Sequence, residues 1–207
     1  MKVWDLSTRL YHWAQAVLFV ALMATGFSGN GPHVQLGLVI MTLIVWRIIW
    51  GFVGSETSRF KQFLRSPKRV INYLLGREIS RPGHNPAGGW MVITLVSMLL
   101  IQCISGMALA GLFDNLPHAE VRLTDEVYSF VESLHLLLAN SLPVLVGLHV
   151  VAILFYKLRS KPLTWAMVTG KQTFPKHEGS VLLVSQWRAL LVLVLATSVT
   201  MAIVAFS

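Results

Sequence analysis

The sequence predicts an all-α integral membrane protein: a bundle of four transmembrane helices followed by a fifth at the C-terminus. Three observations carry this. Hydrophobic residues make up 55% of the 207 and charged residues only 13%, well below the roughly 25% charged share of a soluble domain, and mean hydropathy is +0.64. The apolar residues gather into five runs, each about long enough to cross a hydrocarbon layer of roughly 30 Å. Fifteen of the seventeen basic residues fall before the first run or in alternate connections between runs. A helix closes its own backbone hydrogen bonds in lipid, so spans of this kind are helical.

The first span covers about residues 13–27, with Tyr11 and Trp13 at its interface. Lys2 and Arg9 precede it, and with another span following, it is read as a retained helix and not as a cleaved signal. The Gly- and Pro-containing turn SGNGPH leads into the second span, 34–53, interrupted only by Arg47. The long connection to span three is basic, and Phe60, Phe63, Leu64, Val70 and Leu74 recur there, which predicts interfacial helix. Span three is 90–113. The segment after it carries Asp114, Glu120, Asp125 and Glu126 around Arg122 and is polar enough to sit in water. Spans four and five are 134–156 and 189–206. Cys103, the one cysteine, permits no internal disulfide.

The basic residues set the orientation. Two precede span one, seven lie between spans two and three, and six between four and five. The positive-inside rule then puts the N-terminus in the cytoplasm and the C-terminus outside. The net charge of +8 therefore reflects topology and contact with anionic membrane lipid, and no nucleic-acid partner is expected.

Four histidines stand at two heights. His12 is at the inner end of span one, and His33 at the outer end of span two. His135 is at the outer end of span four, and His149 fourteen residues deeper. Fourteen helical residues rise about 21 Å and return nearly to the same face. Height thus pairs His12 with His149 and His33 with His135. Imidazoles are axial ligands to haem iron, and two per level suit two haems. Zinc wants three or four converging ligands, which neither level has. Gly26, fourteen residues after His12, makes room for a macrocycle at the outer level or for a neighbouring helix. Arg47, fourteen after His33, is a cation at the inner level that a haem propionate would pair; snorkelling to the headgroups is the alternative. A single interfacial histidine also has ordinary uses, solvating or capping a helix end. His84, His118 and His177 lie in loops, where solvation is the plain reading.

The stretches VWDLSTRLYHWAQAVLFVALMATGF, HVQLGLVIMTLIVWRIIWGFVG, SRFKQFLRSPKRVINYL, GHNPAGG and ESLHLLLANSLPVLVGLHVVAILFY, with KPLTWAMVTGKQ after them, resemble the bacterial cytochrome b-561 family, which includes the cytochrome b subunits of nickel–iron hydrogenases. The resemblance covers residues 1–172, a di-haem membrane domain; 173–207 is a linker and an additional helix. It implies a four-helix di-haem transmembrane bundle in the bacterial inner membrane, with His12, His33, His135 and His149 binding the iron of two b-type haems and Arg47 matching the family's arginine. Members exchange electrons with quinone. The departure is the fifth span, which has no His, Asp or Glu and is expected to pack against a partner or a second copy in a homo-oligomer.

The function expected is transmembrane electron transfer between the quinone pool and a periplasmic redox protein, such as a cytochrome c or a hydrogenase-like enzyme. The chain would be an electron-transfer subunit or a quinone-reactive oxidoreductase. With no CxxCH, any c-type haem belongs to another chain. GHNP, just before span three, is the candidate quinone contact: His84 and Asn85 can bond a quinone carbonyl or fix the turn before Pro86. The competing class is a non-redox helical membrane protein, an assembly factor or transporter with structural histidines.

Overall fold

The computed structural model describes residues 1–78, 82–159, 163–173 and 180–207; Arg81, Lys161, Lys176 and His177 lie outside them. Among the described residues, five helices are long and apolar enough to cross a membrane. The first, α1 (Leu6–Ser28), starts seven residues before the apolar run because Asp5 caps it, accepting from the Thr8 amide at 2.6 Å. It closes on Gly29, whose φ of 66° is the left-handed conformation that glycine adopts without strain. Helix α2 spans His33–Val53.

A 3-10 turn (Glu56–Ser58), α3 (Phe60–Phe63) and α4 (Pro67–Leu74) follow. Expected as interfacial helix, this segment divides its apolar residues. Phe63 turns inward and is buried, while Ile71 and Leu74 stay exposed beside Lys68 and Arg69. Helix α5 (Pro86–Leu109) is capped by Asn85, whose Oδ1 accepts from the Gly88 amide at 2.7 Å, with Pro86 in its first turn. After the short α6 (Ala119–Arg122), α7 runs over Asp125–Leu158 from a Thr124 cap. It begins nine residues before the expected span, since polar residues continue a helix readily once outside lipid. The remaining helices are α8 (Leu163–Thr169) and α9 (Gln186–Ala205).

Helix α2 is central, packing on α1, α5 and α9, while α5 and α7 form the most extensive pair. Ile40, Met41, Ile44, Val96, Leu99, Cys103, Met107 and Leu142 build the main core. The fifth span packs within the chain, on α2. Ala189, Val192 and Ala196 meet Trp46 and Trp50, Trp46 Nε1 donates to the Ala189 carbonyl at 3.1 Å, and Thr42 Oγ1 donates to Thr200 Oγ1 at 2.9 Å. Small residues allow this close approach, and interhelical hydrogen bonds add to it where lipid supplies no hydrophobic drive.

One end of the bundle is knitted together by the N-terminus and the basic connections. Val3 donates through its amide to the Gly170 carbonyl at 2.7 Å, Thr57 Oγ1 to the Val3 carbonyl at 2.7 Å, and the Leu182 amide to Glu56 Oε2 at 3.0 Å. Tyr73 and Tyr156 hydroxyls, 2.9 Å apart, tie α4 to α7. We call this the basic end; the acidic end carries Asp114, Glu120, Asp125 and Glu126.

Candidate functional site

At the acidic end, His33 opens α2 and His135 faces it from α7, their ring centroids 6.4 Å apart. Each ring is held from a neighbouring helix. His33 Nδ1 lies 3.0 Å from Thr25 Oγ1 on α1, and His135 Nδ1 lies 2.9 Å from Ser105 Oγ on α5. Nδ1 bonds of this kind fix ring orientation and leave Nε2 for a metal. His135 Nε2 here meets the Gln102 side-chain nitrogen at 3.1 Å, while Gln102 Oε1 is buried without a partner.

Both rings rest on glycines. A Cβ at Gly26 would stand 3.0 Å from His33 Cε1, and one at Gly106 2.9 Å from His135 Cε1. Around the rings is a mostly apolar cavity of about 370 Å³, walled by α1, α2, α5 and α7, within the range of cofactor sites, roughly 300–1,000 Å³. With centroids 6.4 Å apart and metal–imidazole bonds of about 2 Å, as at zinc, His33 and His135 would be close enough to hold one haem iron between them. No cluster of three or more His, Cys, Asp or Glu suited to a metal ion occurs among the described residues.

The basic-end pair is half-buried. His12 and His149 lie within electrostatic reach of each other, and His12 Nδ1 is shielded without a hydrogen-bond partner, an imidazole donor set like that of the other level. Arg47 is buried, 3% exposed. Its Nη1 donates to the Ser58 carbonyl at 3.2 Å, and its guanidinium stands over Phe60 and Phe63 at 5.1 and 5.9 Å from the ring centroids. These aromatics of α3 cover it.

His84 sits between Trp4 and Phe63, with centroids 4.7 and 4.6 Å away. Burial first, and then the Arg47 charge, push its pKa down to about 3 against an opposing hydrogen bond to the Thr57 backbone, so the ring is neutral. Its Nδ1 is shielded and unpartnered. Beside it is a cavity of about 30 Å³ whose walls include Thr57, Gln62 and Glu78. Asn85 spends its Oδ1 on the α5 cap, the turn-fixing role.

The model of the family described as prokaryotic cytochrome b561 matches residues 3–170. The chain belongs to this family. It is accordingly a multi-pass membrane cytochrome of the haem b type, built for electron transfer across the membrane. It is similar to the probable Ni/Fe-hydrogenase B-type cytochrome subunit of Bradyrhizobium diazoefficiens, 24% identical over 211 residues, covering 83% of this chain and 85% of that one. It is similar also to the probable Ni/Fe-hydrogenase 1 B-type cytochrome subunit of Escherichia coli K12, 24% identical over 138 residues, 52% of this chain and 59% of the relative. No solved structure matches the chain.

Within this b561 cytochrome the structure brings His33, His135 and Gly26 to one cavity, and His12, His149, Arg47 and His84 to one level at the other end. Sequence reasoning missed Gly106, Ser105, Thr25 and Gln102. A signal existed for Gln102, a polar amide in an apolar run. Gly106 had none, because α5 carries no histidine from which to count heights.

Proposed function

We propose that the chain holds two b haems, one between His33 and His135 and one between His12 and His149, and passes electrons between quinone at the basic end and a redox protein at the acidic end. The observation that carries this is the facing His33–His135 pair, 6.4 Å apart, with both Nδ1 atoms engaged and both rings seated on glycine. A bound haem supplies one-electron chemistry at its iron. The protein's part is to hold the imidazoles, exclude water, and place charge.

Arg47 would meet a propionate of the basic-end haem. Neutral His84, with its unpartnered Nδ1 close to the membrane interface, is the group suited to bond a quinone oxygen and exchange its proton. The acidic residues 114–126 would receive the partner. That the two relatives are named as hydrogenase cytochrome subunits supports a hydrogenase-like enzyme there. The charge distribution supports an inner-membrane protein with its N-terminus in the cytoplasm and its C-terminus in the periplasm.

Pyridine haemochrome analysis of the purified chain should count two haems, falling to one in His33→Ala or His135→Ala and to one in His12→Ala or His149→Ala. A single haem in the unmutated chain, or one retained when its histidine is removed, overturns this ligand assignment.

A further inference from the structure

Beside Arg47, a directed hydrogen-bond chain starts at the Ser58 hydroxyl and ends on a buried carboxylate. Arg47 Nη1 donates to the Ser58 carbonyl at 3.2 Å. Ser58 Oγ lies 2.8 Å from Thr8 Oγ1, which donates to Asp5 Oδ2 at 2.9 Å and accepts from Trp50 Nε1 at 3.1 Å. Asp5 Oδ1 takes the Thr8 amide at 2.6 Å. A hydroxyl has one proton and two lone pairs. Thr8 gives its proton to Asp5 and one lone pair to Trp50, so Ser58 must be the donor to Thr8. The Ser58 and Thr8 hydroxyl protons therefore both point toward Asp5, the arrangement in which successive bonds strengthen one another, while Arg47 is held to the same Ser58 at its backbone carbonyl.

The two ends are a buried cation and a buried anion, Arg47 at 3% and Asp5 at 1% exposure. A buried charge is costly unless another compensates it, and no direct ion pair joins these two. Asp5 nevertheless acts electrostatically on Arg47. It also caps α1, the helix that carries His12 about two turns further on. One carboxylate thus sets both the start of that helix and the charge balance beside its histidine.

We propose that Asp5, which anchors Ser58 through Thr8, is a protein counter-charge of Arg47: a positioning residue that holds the guanidinium in place and sets the field at the His12–His149 level. The effect on the field rests on the reading above, that this pair holds a haem. Asp5 sets one negative charge against Arg47 beside any propionate that meets it. Removing that charge makes the local field more positive, which favours an added electron nearby.

The test is Asp5→Asn in the haem-loaded protein. Asparagine caps a helix as well as aspartate does, so α1 is retained, while the charge and the acceptor for the Thr8 hydroxyl are lost. Of two midpoint potentials, the one missing from His12→Ala should rise by about 59 mV, a tenfold change in a one-electron equilibrium, and the other should hold. Adding Arg47→Gln should return the shifted midpoint toward its original value. The double variant should lose less melting temperature than the two single losses added. No shift, an equal shift of both midpoints, or strictly additive losses overturn the proposal. Failure of the underlying haem assignment shows separately, as a haem count below two in the unmutated chain, and additivity of the melting losses then decides the counter-charge.

Discussion

At the scale of single residues, Gly106 and Gly26 work through the side chains they lack. A Cβ at either position would stand 2.9 Å (Gly106) or 3.0 Å (Gly26) from an imidazole carbon, closer than the roughly 3.5–4.0 Å of good carbon–carbon contact. Gly106→Val should therefore push His135 off its Ser105 bond and remove the acidic-end haem, leaving the other, as read by haemochrome count and spectrum; two intact haems would refute this. His84 has a pH consequence. Its pKa is lowered to about 3 by burial and by Arg47, whereas an unfolded histidine titrates near 6.5. A lowered folded pKa stabilises the fold above the unfolded value, and that stabilisation is lost as pH falls toward the folded one. Melting temperature should accordingly drop between about pH 6.5 and 3, and drop less in His84→Phe, whose ring suits the place between Trp4 and Phe63. Equal acid sensitivity of the two proteins would count against a neutral, enclosed His84.

At the scale of elements, α9 is the one whose place the sequence did not predict. Its small residues Ala189, Ala196 and Thr200 face α2, and Trp46 and Trp50 fill the interface. Ala196 is fully buried, so Ala196→Leu should overpack this seam and destabilise the chain by roughly 1–3 kcal/mol. The haem count should stay unchanged, because no residue of α9 borders the histidine cavity. Loss of a haem in this variant would mean that α9 supports the site directly. Helix α7 shows a second effect at this scale. Pro143 lies inside it, between His135 and His149, and a proline in a helix removes a hydrogen bond and tends to bend it. Counting fourteen residues along an ideal helix identifies a shared height, while the final facing of the two rings is a matter of packing.

At the scale of the whole molecule, charge is divided between two ends. The basic end is knitted to the N-terminus and α8, while the acidic end presents Asp114, Glu120, Asp125 and Glu126 around the protruding start of α7. A cationic face on a redox partner would gain encounter rate from this field and lose it as salt rises. Replacing Asp125 and Glu126 by Asn and Gln should slow electron exchange with the partner at low salt and flatten its salt dependence, without changing either haem spectrum. A salt dependence that persists unaltered would move the docking surface elsewhere.

Five spans and the charge at each end were legible in the sequence because they depend on local hydropathy and on counts of Lys and Arg, which need no knowledge of neighbours. The heights of the histidines were legible for a similar reason: rise per residue is nearly constant along a helix. The tertiary structure decided which helix faces meet. It turned Gly106, Ser105 and Gln102 toward His135, seated α9 on α2, and tied Asp5 through Thr8 to Ser58, the residue that Arg47 bonds. In a lipid-spanning helix nearly every face is apolar, so hydropathy does not distinguish a packed face from a lipid-facing one. That choice rests on small residues and a few interhelical hydrogen bonds, whose partners are distant in the chain and become visible only once the helices are side by side.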